Sequence, residues 1–342
     1  MADLQLLETL CALNGISGRE DSVREYILEE IAPHVTDVQI DPLGSIIAFK
    51  KGKNRAKTDL MLSAHMDEVG LIVTHITADG KLKFAPVGGI DKRILPGKKV
   101  FVGEVPGVIG AKPVHLLKSE EKGAAVPLDD LFIDIGAEDR EEAESAVSLG
   151  DPVCFDSLID FSGSTVKAKA IDDRAGCAIL IDLIKQPLEY DMTFVFCVQE
   201  EVGLRGARAA AYSVDPEAAI VVESTTAADI PGIPPEKQVC HAGDGPVLSF
   251  MDRSTIYDQD YYQLALALAK AESVPCQVKQ AVAGGNDAGA IHTTKSGVRT
   301  IAVSLPCRYL HGPVGLIAQS DFHHAETLIL SLANKIAGSS ET

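Results

Sequence analysis

The sequence predicts an α/β protein with a layered main domain built from both ends of the chain and a small β-rich domain inserted into it. Three observations lead there. After residue 164, helical and strand-like segments alternate. Between 70 and 163 the texture changes to short strands punctuated by Gly and Pro. Before 70, helical stretches run into strand-like ones. The main domain is therefore expected over 1–69 and 164–342, and the insertion over 70–163.

Each element has its own signal. "SGREDSVREYILEEIAPHV" places Ser17 and Glu20 at capping-box spacing, with Val23, Tyr26, Ile27 and Ile31 on one helical face. "VQIDPLGSIIAFKKG" reads as two strands around a Pro-Leu-Gly turn, and "DLMLSAH" as a buried strand. In the insertion, "GLIVTHITADGKLKFAPVGG" is two strands around an Asp-Gly hairpin signal. "GKKVFVGEVPGVIGAKPVHLL" and "DPVCFDSL" continue the short strands, and "DREEAESAVSLG" is a short helix. Beyond it, "DRAGCAILIDLI" is a helix apolar on nearly every side, hence deeply packed. "DMTFVFCVQEE", "AAIVVES" and "VRTIAVSLP" are strands, whereas "YDQDYYQLALALAKAE" and "FHHAETLILSLANKIAG" are helices.

Composition narrows the function. The 342 residues suffice for two domains with ample core, and 46% hydrophobic content describes an ordinary globular protein. The net charge is -18, with no long basic cluster, which argues against nucleic acid or an anionic membrane as partner. No apolar run approaches the ~20 residues needed to span a bilayer. Seven scattered cysteines with no C-x-x-C pair read as reduced, packed thiols. The start "MADLQLLETLCALNG" lacks the basic lead and long apolar core of a signal peptide, so a cytoplasmic protein is expected.

The strand ends carry the chemistry. "SAHMDEVG" finishes a buried run on His65 and Asp67. The helix after "KAKA" opens on Asp172 and Asp173, "FVFCVQ" delivers Glu200 and Glu201, "AIVV" delivers Glu223, and His311 lies just past "TIAVSLP". Ligand sites of open α/β sheets gather beyond the carboxyl ends of the strands, so these residues should meet. Imidazole with carboxylate is a donor set for zinc, cobalt or manganese. A carboxylate shared between two ions holds them at the roughly 3.5–4 Å spacing of two-metal hydrolases. Neighbouring acids on a strand point to opposite faces, so Glu200 and Glu201 should differ in role, one holding metal and the other accepting a proton. Asp67, two residues after His65, is placed to accept the second imidazole N–H.

The pieces "AHMDEVG", "GVIGAKPVHLL", "AIDDRAGC", "VQEEVGLRGA", "ESTTAADIPG", "GGNDAGAIH" and "YLHGPV", in this order, resemble the dinuclear aminopeptidases that assemble as hollow tetrahedral dodecamers. This is the glutamyl and deblocking aminopeptidase family, some of whose relatives carry an endoglucanase label. The resemblance implies a layered, zinc-peptidase-like catalytic domain with a mixed sheet. It implies that Asp172 bridges two divalent metal ions, that His65 and Glu223 complete one site, and that Glu201 and His311 complete the other. Glu200 becomes the general base and Asp67 the partner that orients His65. Position 223 is commonly Asp in the family and is Glu here. The resemblance also makes the insertion a dimerisation domain and "GGNDAGA" a loop lining the substrate pocket; Arg308 and Tyr309 are candidates for the same wall. His323 and His324 read as surface or structural, and His115 stays outside the site. The expected activity is metal-dependent removal of N-terminal residues from short peptides by a homo-oligomer, a dimer or a tetrahedral dodecamer. A related amidohydrolase or carboxypeptidase is the alternative, and a glycoside hydrolase, which would leave the histidines without purpose, is a more distant one.

Overall fold

A computed structural model of the chain describes residues 4–119 and 123–340. Positions 1–3, 120–122 and 341–342 of the expected domains lie outside the described residues. The larger sheet is mixed and eight-stranded. Its spatial order is Asp37–Ile40, Ile46–Lys50, Met192–Cys197, Leu60–His65, Ala218–Thr226, Arg299–Cys307, Val247–Leu248 and Gln277–Val278. The middle four strands run parallel. They are covered on both faces, which is why they read as unbroken apolar runs rather than alternating ones. All six residues of Leu60–His65 are buried.

Two separate cores sandwich this sheet. On one face, helices Leu4–Ala12, Asp21–Ile31, Ile171–Lys185, Gln259–Ala271 and Gln319–Gly338 contribute Leu7, Ile27, Ile179, Ala265 and Phe322 to a continuous apolar cluster. On the other, Arg205–Val214 and the short Ala288–Ile291 pack Ala207, Ala210 and Ile291 against Val195 and Val221. Small alanines let that second layer approach the sheet closely. No helix among the described residues is long and apolar enough to cross a membrane.

Six short strands form a separate closed barrel in the order Gly70–Ile76, Leu82–Val87, Phe132–Asp134, Val105–Gly110, Lys99–Val102 and Pro152–Phe155. Closure removes the unpaired edges that strands this short would otherwise expose. Leu71, Leu82, Val100, Ile109, Ile133 and Val153 fill its own core. The Asp-Gly signal is a hairpin turn whose Gly80 has φ +72°. The helix Arg140–Ala146 is capped by Asp139, which accepts from the Glu142 N–H. The chain enters the barrel through Gly70, where a Cβ would stand 2.2 Å from Ile16 Cγ2. Only glycine fits that crossing.

One expectation fails at the N-terminus. The helix predicted to start from a Ser17–Glu20 box begins at Asp21. Ser17 Oγ donates instead to Asp67 Oδ2 at 2.5 Å. The Glu20 carboxylate accepts from Gly18 N at 2.7 Å and Gln199 N at 3.1 Å. Asp67 draws Ser17 away from capping, and Glu20 is shared between the nearby Gly18 and the distant Gln199.

A buried ionic cluster ties the first helices to the end of the central strand. Arg174 is fully buried and donates to the carbonyls of Met66 (2.7 Å), Leu10 (2.6 Å), Leu13 (3.2 Å) and Gly15 (3.3 Å). It also lies 3.5 Å from Glu68, which Lys169 pairs at 2.6 Å. Arg174→Met removes the cation while keeping much of the volume. Four carbonyls then lose a donor and the buried Glu68 loses one of its two cationic partners, keeping Lys169 and the Gly15 N–H. We expect a loss of about 3–5 kcal/mol, the usual cost of breaking a buried charge network, read as a lowered denaturation midpoint in urea. A change under about 1 kcal/mol would mean that the cluster adds little beyond packing.

Candidate metal centre

His65 is the last residue of Leu60–His65 and Glu223 lies within Ala218–Thr226, opposite Ser304 of the next strand. Glu200 and Glu201 follow Met192–Cys197 on a turn that Gln199 enters with φ +55°. His311 comes four residues after Cys307, in a loop where Tyr309 and His311 both have positive φ. Asp172 and Asp173 stand at the mouth of Ile171–Lys185, joined by a cis peptide and outside helical geometry. All of this lies at the carboxyl end of the parallel strands, where open α/β sheets place their ligand sites.

The side chains converge. His65 Nε2 is 3.3 Å from Asp172 Oδ1 and 3.4 Å from Glu223 Oε1. His311 Nε2 is 3.4 Å from Asp172 Oδ2 and 3.5 Å from Glu201 Oε2. These separations are long for hydrogen bonds, whose N···O distances centre near 2.9–3.0 Å. They match two donors on one cation: bonds of roughly 2.1 Å at a tetrahedral angle put neighbouring ligand atoms about 3.4 Å apart. Asp172 Oδ1 is buried with no hydrogen-bond partner among the described residues, another sign of a donor set made for a cation. The residues present therefore fit divalent metal.

The two adjacent aspartates are separated by their contacts. Asp173 Oδ1 accepts from Gly176 N at 3.1 Å and Oδ2 from His65 N at 3.3 Å. Asp172 faces the cavity, with one oxygen toward each histidine. His65, Asp173 and Glu223 are nevertheless close enough to share an ion. The backbone bonds of Asp173 and its distance from the cavity wall favour Asp172 as the donor.

Asp67 does more than its spacing suggested. His65 Nδ1 lies 3.4 Å from Asp67 Oδ1 and donates to the Asp67 backbone carbonyl at 3.1 Å. A carbonyl only accepts, so Nδ1 carries the proton and Nε2 keeps its lone pair for a metal. The Asp67 carboxylate meanwhile accepts from Glu200 N at 3.0 Å, Glu201 N at 3.1 Å and Ser17 Oγ. One buried aspartate fixes the ring on one side and the Glu-Glu turn on the other. Strand alternation does not separate Glu200 from Glu201, because the strand has ended at Cys197. Their surroundings do so instead: Glu201 meets His311, whereas the Glu200 carboxylate has no hydrogen-bond partner among the described residues.

The electrostatics are those of crowded acids short of positive charge. Burial pushes the Glu200 and Glu223 carboxyls well above the usual range, with Asp287 adding to the first and Asp173 to the second. Burial and then the Asp172 charge bring Glu201 to about 7. Burial opposes ionisation of Asp172 too, but the His311 and His65 rings outweigh it and hold this carboxyl low. Burial lowers His311, yet Asp172 and Glu201 lift it to about 9.

These groups open onto a cavity of about 210 Å³, bounded also by Thr225, Thr226, Val239, Lys279 and Leu310 and by residues 283–286 of the Gly-rich stretch. "GGNDAGA" thus does border the site. Tyr309 faces a neighbouring pocket beside Ile94 and Lys98, whereas Arg308 turns away to pair with Asp229 at 2.5 Å. His323 and His324 sit half-buried on Gln319–Gly338, and His115 is exposed beside the barrel; none of the three lines the cavity. Ser17 and Lys279 are the residues that sequence reading missed, since nothing local marks either.

Fold and site together define a metal-dependent hydrolase. The chain belongs to the M42 glutamyl aminopeptidase family, which matches residues 44–328. It is 40% identical over 327 residues to a putative aminopeptidase of Acetivibrio thermocellus, covering 95% of this chain and 96% of that one. To the lysyl aminopeptidase of Pyrococcus furiosus it is 33% identical, with 98% of each chain covered. Among solved structures, a TET aminopeptidase from a marine-sediment Thaumarchaeota archaeon superposes with a TM-score of 0.92 at 36% identity, covering 97% of this chain and 96% of that one. The TET1 peptidase of Pyrococcus horikoshii, which can assemble into a tetrahedron or a large octahedral shell, gives 0.83 at 34% identity, covering 98% and 99%. The protein is accordingly a metal-dependent aminopeptidase.

Proposed function

We propose that this aminopeptidase holds two divalent cations per subunit, zinc, cobalt or manganese, and removes N-terminal residues from short peptides. His65 and Glu223 would hold one cation and Glu201 and His311 the other, with Asp172 between them. The carrying observation is the set of four 3.3–3.5 Å nitrogen-to-oxygen separations, two of which join the two histidines to the opposite oxygens of Asp172. Bound there, the cations would lower the pKa of the attacking water and polarise the scissile carbonyl.

The chain's own residues supply the rest. Glu200, whose carboxylate has no hydrogen-bond partner among the described residues, takes the proton from water and returns it to the leaving amine. Asp67 keeps the His65 ring and the Glu200 backbone in register. The acids of the cavity receive the substrate's free α-amine, which restricts cleavage to the first peptide bond. Residues 1–69 and 164–342 form the catalytic domain in this reading, and 70–163 the inserted dimerisation domain. Exposed Val108, Val114, Leu116 and Leu149 on that insertion support a self-association face. The assembly is a dimer or the tetrahedral dodecamer, in the cytoplasm. The test is a free-amine dipeptide against its N-acetylated twin on metal-loaded protein. Hydrolysis confined to the free amine supports the proposal; equal hydrolysis of both moves the protein to the amidohydrolases.

Metal loading should depend on pH. Ligation requires neutral imidazole and ionised carboxylate, whereas in the metal-free protein His311 holds its proton to about 9 and Glu201 to about 7. Protons therefore compete with metal below these values. Zinc affinity of stripped protein should rise with pH by about tenfold per unit for each displaced proton, with His311 contributing its share up to about pH 9. Calorimetry in buffers of differing ionisation heat reads the proton release. Affinity flat from pH 6 to 9 would exclude His311 as a ligand.

A further inference from the structure

We infer that Arg308, forked onto Asp229, positions the loop that presents His311 and so sets the affinity of one cation site selectively. The inference rests on the two-cation reading above.

The two histidines of the centre are held in different ways. His65 is buried at the end of a strand, and its Nδ1 is fixed by Asp67. His311 stands on a loop with its side chain 37% exposed. Among the described residues nothing hydrogen-bonds its Nδ1; both of its near carboxylates, on Asp172 and Glu201, face Nε2. A ligating histidine is ordinarily aimed by a partner on its second nitrogen. Without one, the aim of this ring has to come from its backbone. That backbone is itself unfavourable, since Tyr309 and His311 have φ of +62° and +58°. Such residues keep a left-handed conformation only where surrounding contacts impose it.

The contacts that impose it meet on Arg308. The parallel ladder between Ala218–Thr226 and Arg299–Cys307 ends at the pair Thr226 and Cys307. Ala227 N adds one last bond, to the Cys307 carbonyl at 2.9 Å. Arg308 is the next residue and the root of the His311 loop, exchanging backbone bonds with Leu316 at 2.9 and 3.0 Å. Its side chain reaches back across the two strands. Nε donates to Asp229 Oδ1 at 2.7 Å and Nη2 to Oδ2 at 2.5 Å. The far end of this fork is anchored. The Asp229 side chain is only 7% exposed, and its Oδ2 also accepts from Ala242 N at 3.1 Å. The Ala227 carbonyl accepts from Val239 N and Cys240 N, above a small apolar cluster of Ala227, Val239, Cys240 and Val247.

An exposed ion pair would contribute little here. This one has a buried carboxylate and the planar two-point geometry that only arginine offers. Burial works to raise the Asp229 carboxyl, yet Arg308 holds it below the ordinary range. Arg308 does not border the catalytic cavity, so whatever it does there passes through the loop backbone. It is a positioning residue. The site of Glu201 and His311 depends on that loop, whereas His65 and Glu223 are borne on strands and do not.

The experiment is zinc calorimetry on stripped wild type, Arg308→Lys, Arg308→Met and Asp229→Asn. Each substitution should weaken one of two zinc steps by about 10- to 100-fold, the range for a residue that orients a ligand. The other step should stay within about threefold. Arg308→Lys keeps the charge without the fork, which guards against a poorly folded Arg308→Met, and should fall at the lower end. The weakened step should be the one that survives in Glu223→Gln. In His311→Ala, Arg308→Lys should have no further effect, because the loop then presents no imidazole. Unchanged zinc steps, equal weakening of both, or an Arg308→Lys effect that persists in His311→Ala overturns the inference and leaves the two-cation reading standing. A single zinc step in the wild type overturns that reading instead, and the inference then fails only if the Arg308→Lys effect persists without His311.

Discussion

Glu200→Gln should keep its metal and its fold and lose turnover by about 10²–10⁴-fold, the usual contribution of a positioned general base. The expectation follows from how the two ends of this residue are treated. Its backbone N–H is fixed by Asp67 Oδ1 at 3.0 Å, whereas its carboxylate borders the cavity with no partner among the described residues. A group so held is positioned without being occupied. Burial raises its carboxyl well above the ordinary range, while the His65 charge works against that rise. The raised value brings a carboxylate closer to the basicity that proton transfer near neutrality needs. Glutamine keeps the shape and removes only the proton acceptor, so KM should change by no more than a few-fold. Steady-state kinetics beside metal analysis by mass spectrometry separates the outcomes. Wild-type turnover removes Glu200 from the chemistry. Lost metal would instead make it a ligand.

What was legible in the sequence was whatever depends on chain order. Parallel strands buried on both faces must be continuous apolar runs, so Leu60–His65 and Ala218–Thr226 announce themselves, and their carboxyl ends must meet. That logic gathered His65, Asp67, Asp172, Asp173, Glu200, Glu201, Glu223 and His311 before any coordinates, the resemblance then choosing the ligand set among them, and the side chains do converge. What was not legible depends on partners far along the chain. Ser17 and Glu20 have the spacing of a helix cap, but Asp67 and Gln199 claim their side chains. Nothing near Arg174 says that it reaches the carbonyls of Leu10 and Met66. Glu200 and Glu201 were separated by strand alternation, though the strand has already ended; the distinct roles survive for a different reason, contact with His311. Lys279 looks like any lysine just past a short edge strand until the 283–286 loop folds over it.

Asp172→Asn should be the most damaging single change at the centre, because one carboxylate there serves two donor sets. Its Oδ1 lies 3.3 Å from His65 Nε2 and its Oδ2 3.4 Å from His311 Nε2. Asparagine offers one acceptor and turns an N–H₂ group toward the other ring, so one set must lose its oxygen and face a donor instead. It also withdraws the negative charge that sits between two clusters, at a point where burial makes unbalanced cation charge expensive. Glu223→Gln makes the informative contrast. Glu223 lies 3.4 Å from His65 and accepts from Ser224 N at 3.0 Å, and its loss leaves the Asp172, Glu201 and His311 donors untouched. We therefore expect Asp172→Asn to weaken both ions and to cut turnover by about 10³-fold or more, a barrier increase of about 4 kcal/mol. Glu223→Gln should release one ion and leave the other at near wild-type affinity. Zinc titration followed by calorimetry reads two steps in the wild type, one in Glu223→Gln, and none of comparable strength in Asp172→Asn. If Asp172→Asn binds two ions as tightly as wild type, the cations do not meet on Asp172, and Asp173, 3.3 Å from the His65 backbone N–H, becomes the donor to test.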